Sequence, residues 1–218
     1  MDRTSDVATR GQAVVVTAGP PGAGKSSALL RQPYEGYRLI DPDIIKDLVL
    51  QDAERRKLLD FRLGRVLSDG RGVALRELAT HVHRASTRIA DVVRDMALKA
   101  GENVIVDGSL SWERLPGQYI DELSRAGYEH LTVVSVEVPL ETAYERARSR
   151  WWTGRHADEM GGRFVPDHVI SAMFSADGSS QCTTNAAKLA ERGRDELGAV
   201  ELIRYEVDSA TGDLRLVP

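Results

Sequence analysis

The sequence predicts a three-layer α/β fold with a mostly parallel central sheet. Three observations carry that expectation. Short apolar runs of strand character alternate with helical stretches along the chain. The first run, Ala13-Val14-Val15-Val16, leads straight into a glycine-rich segment, and two later runs close on aspartates, at Asp41 and Asp107. The ends of strands are where open α/β sheets place their ligands.

Taken in order, the first run reads as a buried parallel strand because it is short, β-branched and bounded by glycine. Behind it stands Gly19-Pro20-Pro21-Gly22-Ala23-Gly24-Lys25-Ser26, a complete G-x-x-x-x-G-K-[ST] phosphate loop, followed by Ser27 and a helix over 25–32. Three glycines allow backbone N–H groups to turn inward around phosphate oxygens, and the helix aims its positive dipole end at the anion. Lys25 can reach the outer phosphates, and Ser26 supplies a hydroxyl ligand for Mg²⁺.

Residues 37–40 form a second strand ending in Asp41-Pro42-Asp43, with a helix over 44–50. Residues 51–76 are highly charged, including Glu54-Arg55-Arg56-Lys57, and read as a surface insertion. A long amphipathic helix spans 77–100, with Leu78, Val82, Ala85, Ile89, Val92 and Met96 at helical spacing and Gly101 as its stop. Residues 103–106 are a third strand closing on Asp107, and a helix over 113–126 ends at Gly127. A strand over 131–138 and a helix over 140–150 follow. Trp151 to Arg163 carries glycines at both ends, which reads as an arginine-bearing lid over 151–165. A short helix over 166–174, a polar loop over 175–184 and a helix over 185–197 precede a terminal strand pair, 200–207 and 214–217, turning at Gly212-Asp213.

Length and composition bound the function classes. At 218 residues the chain supports one sizeable core, so it is expected to be a single domain with a flexible N-terminus over 1–11. Its 29 Lys and Arg oppose 33 Asp and Glu for a net charge of −4, which provides no global basic field for nucleic acid. Cys182 is the single cysteine, which excludes an internal disulfide and suits a reducing compartment. No apolar signal core opens the chain and no run is long enough to span a membrane, so a cytoplasmic location without membrane attachment is expected.

Phosphoryl transfer needs held phosphates, Mg²⁺, a carboxylate to orient or deprotonate the acceptor hydroxyl, and cations around the transition state. Asp41 and Asp43 flank a proline that fixes the turn, so their carboxylates diverge and take one role each. Asp43 lies further past the strand end and is assigned as the base, with Asp41 as a helix cap. Asp107 has the Walker-B placement for holding Mg²⁺ through water. Arg146, Arg148, Arg150, Arg155 and Arg163 are candidate cations, or else an exposed arginine-rich helix end. Trp151 and Trp152 either stack on a base or anchor the segment. On the long helix, His81, Arg84, Arg88, Asp91 and Asp95 form a polar stripe that either lines an acceptor pocket or faces solvent. His81 and His83 diverge on a helix, which argues against a metal site there. An N-K-x-D guanine signature is absent from the sequence, which disfavours a GTPase switch and leaves a nucleotide-dependent protein-binding module as the alternative of another class.

With these residues in place, the chain resembles the zeta toxins, P-loop kinases of toxin–antitoxin systems that phosphorylate UDP-N-acetylglucosamine. The resemblance runs from Val14 to Val207. It rests on the Gly19 to Ser27 loop, Asp41-Pro42-Asp43, Val106-Asp107-Gly108-Ser109, Gly127-Tyr128, Val138-Pro139, Arg150 and Arg163. It implies ATP and Mg²⁺ as cofactors, with Lys25 and Ser26 on phosphate and metal and Asp43 activating the sugar 3′-hydroxyl. It also implies Arg150 and Arg163 closing on the transferring phosphate and a possible antitoxin as protein partner. Asp91 matches the family's substrate-contacting acid, a glutamate elsewhere, and Tyr119 stands near the position of a threonine on the following helix. Asp91, Arg88, Tyr119 and Ser109 are thus expected on the acceptor side. The small-molecule substrate implied is a sugar nucleotide, with an antibiotic or nucleoside as the alternative hydroxyl acceptor.

Overall fold

The computed structural model describes residues 7–9, 11–208 and 211–217. Its elements are β1 (Ala13–Ala18), α1 (Lys25–Leu29), β2 (Arg38–Ile40), α2 (Pro42–Arg55), α3 (His83–Lys99), β3 (Val104–Val106), α4 (Leu115–Arg125), β4 (His130–Glu137), α5 (Leu140–Ala157), α6 (Asp167–Ser171), α7 (Gln181–Glu196), β5 (Ala199–Val207) and β6 (Leu214–Val217), with 3₁₀ turns at Asp60–Arg62 and Leu75–Val82. The strands form one sheet in the order β2-β3-β1-β4-β5-β6. All neighbours pair in parallel except β5 and β6, which form the expected antiparallel hairpin.

Side-chain alternation along each strand splits the core between the two faces of the sheet. Val14, Val16, Val104, Val106, Leu131 and Val133 pack beneath α3, α4 and α7 through Ala90, Ala97, Leu98, Ile120, Leu123 and Leu189. Val15, Ile105, Val134 and Val136 face the other way, onto Ala28, Ala143, Ala147 and Ile170 of α1, α5 and α6. These near-continuous apolar strands are covered on both faces, which is what a parallel sheet requires.

Several boundaries differ from the sequence reading. α2 begins at Pro42 and runs to Arg55, because Asp41 caps it by accepting the Asp43 N–H at 2.7 Å. The long helix expected over 77–100 is 3₁₀ up to Val82 and becomes α-helical at His83. α7 begins at Gln181, four residues early, with the Ser180 hydroxyl accepting the Cys182 N–H at 3.0 Å. At the N-terminus, Ala8 is tied to Gly36 and Asn103 by backbone hydrogen bonds of 2.8 and 2.9 Å, so residues 7–9 are anchored. The flexibility expected for 1–6 and 10 lies outside the described residues.

The insertion 51–76 is more than charged surface. Leu59 and Leu75 join Leu50, Leu78 and Ala79 in a small core of their own. The segment is then tied to α5 by Arg155, which is 5% exposed and binds Asp69 at 2.7 and 2.8 Å and Glu77 at 2.7 and 2.8 Å. The Trp151 indole donates to the same Glu77 at 2.9 Å. Arg155 is therefore a structural tether, and Trp151 packs edge-on against Phe164.

The segment expected as a lid, 151–165, enters as the last turns of α5 and returns against it. Its glycines serve close approach here. A Cβ on Gly162 would lie 1.8 Å from the Trp151 carbonyl oxygen. Gly162→Ala is accordingly expected to destabilise the fold by about 1–3 kcal/mol through overpacking. Gly72→Ala, whose added carbon meets no atom closer than 3.7 Å, should change stability little. Urea unfolding of both variants checks this, and equal midpoints would contradict the close-packing account.

Candidate active site

Three parallel strands deliver the site. β1, β3 and β2 are in register as Val16, Val106 and Ile40, so the residues that follow them emerge at one level of the sheet. Backbone bonds lock the exits together. The Asp107 N–H donates to the Ile40 carbonyl at 3.0 Å, and the Gly19 N–H to the Ser109 carbonyl at 3.0 Å.

The phosphate loop runs from Gly19 into α1. Gly22 has φ 85° and a Cβ there would lie 2.6 Å from the Ala143 carbonyl oxygen, so glycine is required on both counts. Lys25 is partly exposed as a residue, but its ammonium is tucked against the loop, donating to the carbonyls of Gly19 at 2.9 Å and Pro20 at 3.4 Å. Burial lowers its pKa, against the field of Asp107, which raises it. Pro20, Pro21, Ala23, Gly24, Ser26 and Ser27 complete the loop, with Ser26 and Ser27 exposed.

Asp107 Oδ1 accepts the Thr17 hydroxyl at 2.6 Å, and that hydroxyl accepts the Gly108 N–H at 2.9 Å. Thr17 is wholly buried in an otherwise apolar strand. The hydroxyl of Ser26 and the carboxylate of Asp107 are hard oxygen donors of the kind Mg²⁺ takes alongside phosphate and water. The residues therefore fit the ion that the loop implies.

Asp41 is engaged as a cap, and its carboxyl pKa is raised chiefly by burial. Asp43, half-buried, pairs with Lys46 at 2.8 Å and with Arg163 at 2.8 Å. Burial pushes the Asp43 carboxyl up, but Lys46, Arg163 and Arg150 together outweigh it and hold the pKa below its ordinary value. The helix expected to end at Arg150 continues to Ala157, so Arg150 stands exposed in the middle of α5; among the described residues its side chain makes no hydrogen bond or ion pair, while its charge acts on both Lys25 and Asp43. His83, at the start of α3, has its pKa lowered by burial and by Lys46 while Asp43 opposes, so it belongs to this neighbourhood.

The other candidate cations are placed differently. Arg146 bonds the carbonyls of Gly22 and Gly212, joining the loop to the terminal hairpin. Arg148 pairs with Asp167 on the surface.

The acceptor-side expectations separate. Ser109 stays with the phosphate loop, its hydroxyl 3.0 Å from that of Ser111. Asp91 instead pairs with Arg94 at 3.0 Å, and Arg94 lies over the Tyr119 ring at 4.9 Å while binding Glu122 at 2.8 Å. Asp91 and Tyr119 thus converge on Arg94 between α3 and α4, and Arg88 is exposed. Helical rise puts Asp91 about 12 Å along α3 from His83. The residues that surround Asp43 are Lys46, Arg163, His83 and, one turn along α2, Asp47, which binds Arg163 at 2.7 Å. Sequence reasoning missed Lys46 and Asp47, although their spacing of three and four from Asp43 is the signal of a shared helix face.

A parallel sheet with a phosphate loop after its first strand, Asp107 after the neighbouring strand and arginines on two later segments defines a P-loop kinase fold. The zeta toxin family model matches residues 2–194, and the chain belongs to that family. Solved structures agree at the level of fold. The chain is similar to AvrRxo1-ORF1:-ORF2 with ATP at a TM-score of 0.58 and 18% identity, covering 99% of this chain and 59% of that one. It is similar to the PezAT toxin–antitoxin system of Streptococcus pneumoniae at a TM-score of 0.57 and 12% identity, covering 99% of this chain and 73% of that one. In sequence it is 31% identical over 112 residues to a calmodulin calcium-dependent NAD kinase of Arabidopsis thaliana, covering 51% of this chain and 20% of that protein. The chain thus spans a fifth of the length of that curated relative. Among the described residues no helix is long and apolar enough to cross a membrane.

The electrostatics of Asp43 give a direct test. Its ion pairs stabilise the fold at neutral pH, and that contribution is lost as pH falls through the lowered pKa. Arg163→Gln removes one opposing cation and leaves the burial, so the Asp43 carboxyl should titrate at higher pH than in the unaltered protein. Carbon-13 NMR of the carboxyl checks this, and an unchanged titration would show that Arg163 does not set it.

Proposed function

We propose that the protein is an ATP-dependent kinase that transfers the γ-phosphoryl group to a hydroxyl of a small molecule, the 3′-hydroxyl of UDP-N-acetylglucosamine or a related sugar nucleotide. The observation that carries this reading is the Asp43 carboxylate, held by Lys46 and Arg163 within the electrostatic reach of Lys25 and Arg150. A carboxylate set between cations opposite a phosphate loop is what in-line transfer to a hydroxyl needs.

In this reading the loop amides of Gly19 to Ser27 and the Lys25 ammonium hold the donor phosphates. Ser26 and Asp107 would hold Mg²⁺, which when bound would neutralise charge on the phosphates. Asp43 orients the acceptor hydroxyl and takes its proton as the new O–P bond forms and the bond from the γ-phosphorus to the bridging oxygen of ADP breaks. Arg150 and Arg163 stabilise the charge on the transferring group. The proton leaves Asp43 to solvent after product departs. Ser109, on the segment that touches Gly19, remains the proposed acceptor-side residue, and His83 is a better placed neighbour of Asp43 than Asp91.

The likeness to a relative named as an NAD kinase favours a second reading of the acceptor, namely a hydroxyl of NAD. Both acceptors carry a nucleoside diphosphate. The likeness to a neighbour described as a toxin-antitoxin system supports a protein antitoxin as partner.

Asp43→Asn keeps shape and removes the base. It should lower kcat by about 10²–10⁴-fold, with ATP affinity by calorimetry little changed. ADP release with UDP-N-acetylglucosamine and with NAD reads the turnover and separates the acceptors. Full turnover by Asp43→Asn would exclude it as the base, and consumption of ATP with neither compound phosphorylated would exclude both acceptors.

A further inference from the structure

Arg163 meets two carboxylates on α2. Its Nη1 lies 2.8 Å from Asp43 Oδ2, while its Nη2 donates to Asp47 Oδ1 at 2.7 Å and to the Asp43 backbone carbonyl at 2.9 Å. Its Nε is buried and has no partner, so the two terminal nitrogens alone hold the guanidinium in place. Asp47 is gripped from its other side by Arg76, whose Nε lies 3.1 and 3.0 Å from the two carboxylate oxygens and whose Nη2 lies 3.0 Å from Oδ2. Arg76 also reaches Asp158 at 2.6 Å and the Gly161 carbonyl at 3.3 Å, and its own N–H donates to the Met160 carbonyl at 2.8 Å. The residue after Arg76 is Glu77, which binds Arg155 of α5. One strut therefore runs from α5 through the Arg76-Glu77 dipeptide to Asp47 and ends on Arg163.

We propose that Asp47 is a positioning residue that keeps Arg163 at the site when Asp43 exchanges its ion pair with Arg163 for the acceptor hydroxyl. The inference rests on the reading of Asp43 and Arg163 given above. A carboxylate locked to a guanidinium is a weak base, so Asp43 must loosen that pair to take a proton. An arginine with a single partner would either stay on it and suppress the base, or leave for solvent and regain its rotamer freedom. Asp47 removes that dilemma because it is a second acceptor of the same sign, one helical turn away, and it cannot follow Asp43. It cannot swing, since Arg76 holds both of its oxygens. Asp47 and Arg163 side chains are 18% and 19% exposed, which keeps water from screening the pair. The same connection gives the insertion 51–76 a role: its Asp69 and the following Glu77 fix Arg155, and Arg76 then sets Asp47.

The test is a double-mutant cycle on the full chain with Mg²⁺ and ATP, using whichever of UDP-N-acetylglucosamine and NAD is turned over. Asp47→Asn should lower kcat about ten-fold, as expected for directly contacting partners, with KM for ATP within about two-fold. Asp47→Glu should recover part of the rate. In an Arg163→Gln background, Asp47→Asn should cost nothing further, because its effect passes through Arg163. Losses that multiply instead would overturn the inference, since they would mean that Asp47 acts by general stability alone. So would Asp47→Asn at full rate in a folded protein. Should Asp47→Asn fail to fold, Arg76→Gln loosens Asp47 from the opposite side and should lower kcat about three-fold at unchanged KM for ATP; an undiminished rate there counts against the proposal. Arg163→Gln at full rate, or unaltered protein that turns over neither acceptor, refutes the proposed function itself and this inference with it, a result distinct from a failure confined to Asp47.

Discussion

The parallel register of β2, β3 and β1 is the constraint on which the site depends. Because Ile40, Val106 and Val16 are aligned, the phosphate loop, Asp107 and Asp43 leave the sheet within one layer without any side chain having to reach far. Val14, Val15, Val16, Val104 and Ile40 are each at most 2% exposed, so these strands are buried on both faces, and their exits are held level by the backbone bonds from Asp107 to Ile40 and from Gly19 to Ser109. Thr17 is the polar exception. Its hydroxyl bonds Asp107 and Gly108 across the strand pair, so the same side chain satisfies its own burial and fixes the carboxylate.

Around that layer, the charged groups are arranged in two tiers. Near the loop, Lys25, Asp43, Lys46, Arg150 and Arg163 share one electrostatic environment, in which burial and opposite charge act against each other on Lys25 and on Asp43. Further out, Arg155 with Asp69 and Glu77, and Arg76 with Asp47 and Asp158, join the insertion to α2 and α5. Removing one partner from such a cluster strands the others, so the outer tier is a framework for the inner one.

Much of the fold was legible in the sequence because its signals are local. The G-x-x-x-x-G-K-[ST] loop, the apolar strand runs and the Asp41-Pro42-Asp43 turn are each complete within a few residues, and the structure places a loop, strands and a helix cap there. The connection of Arg155 to Asp69 and Glu77 could not be read, since it joins residues 86 and 78 apart and depends on how the insertion folds back. Nor could the packing of the glycines in the expected lid be read: Gly154 and Gly162 let two backbone segments come close, and Gly161 faces the Ala74 side chain. Asp91 and Tyr119 were placed by resemblance to a family motif, and helical spacing alone does not distinguish a face turned to Asp43 from one turned to Arg94. Asp47 was within reach of the sequence, one turn beyond Asp43, but nothing local identifies its partner Arg163, 116 residues away.

The central proposal is that this layer of strand ends moves a phosphoryl group from ATP to an organic hydroxyl. Phosphorus-31 NMR of the protein incubated with Mg²⁺, ATP, UDP-N-acetylglucosamine and NAD tests that claim most directly. The γ-phosphate signal of ATP should decline while ADP and a new phosphomonoester resonance grow in equal amount. Release of inorganic phosphate alone, or ATP that persists unchanged, would contradict it.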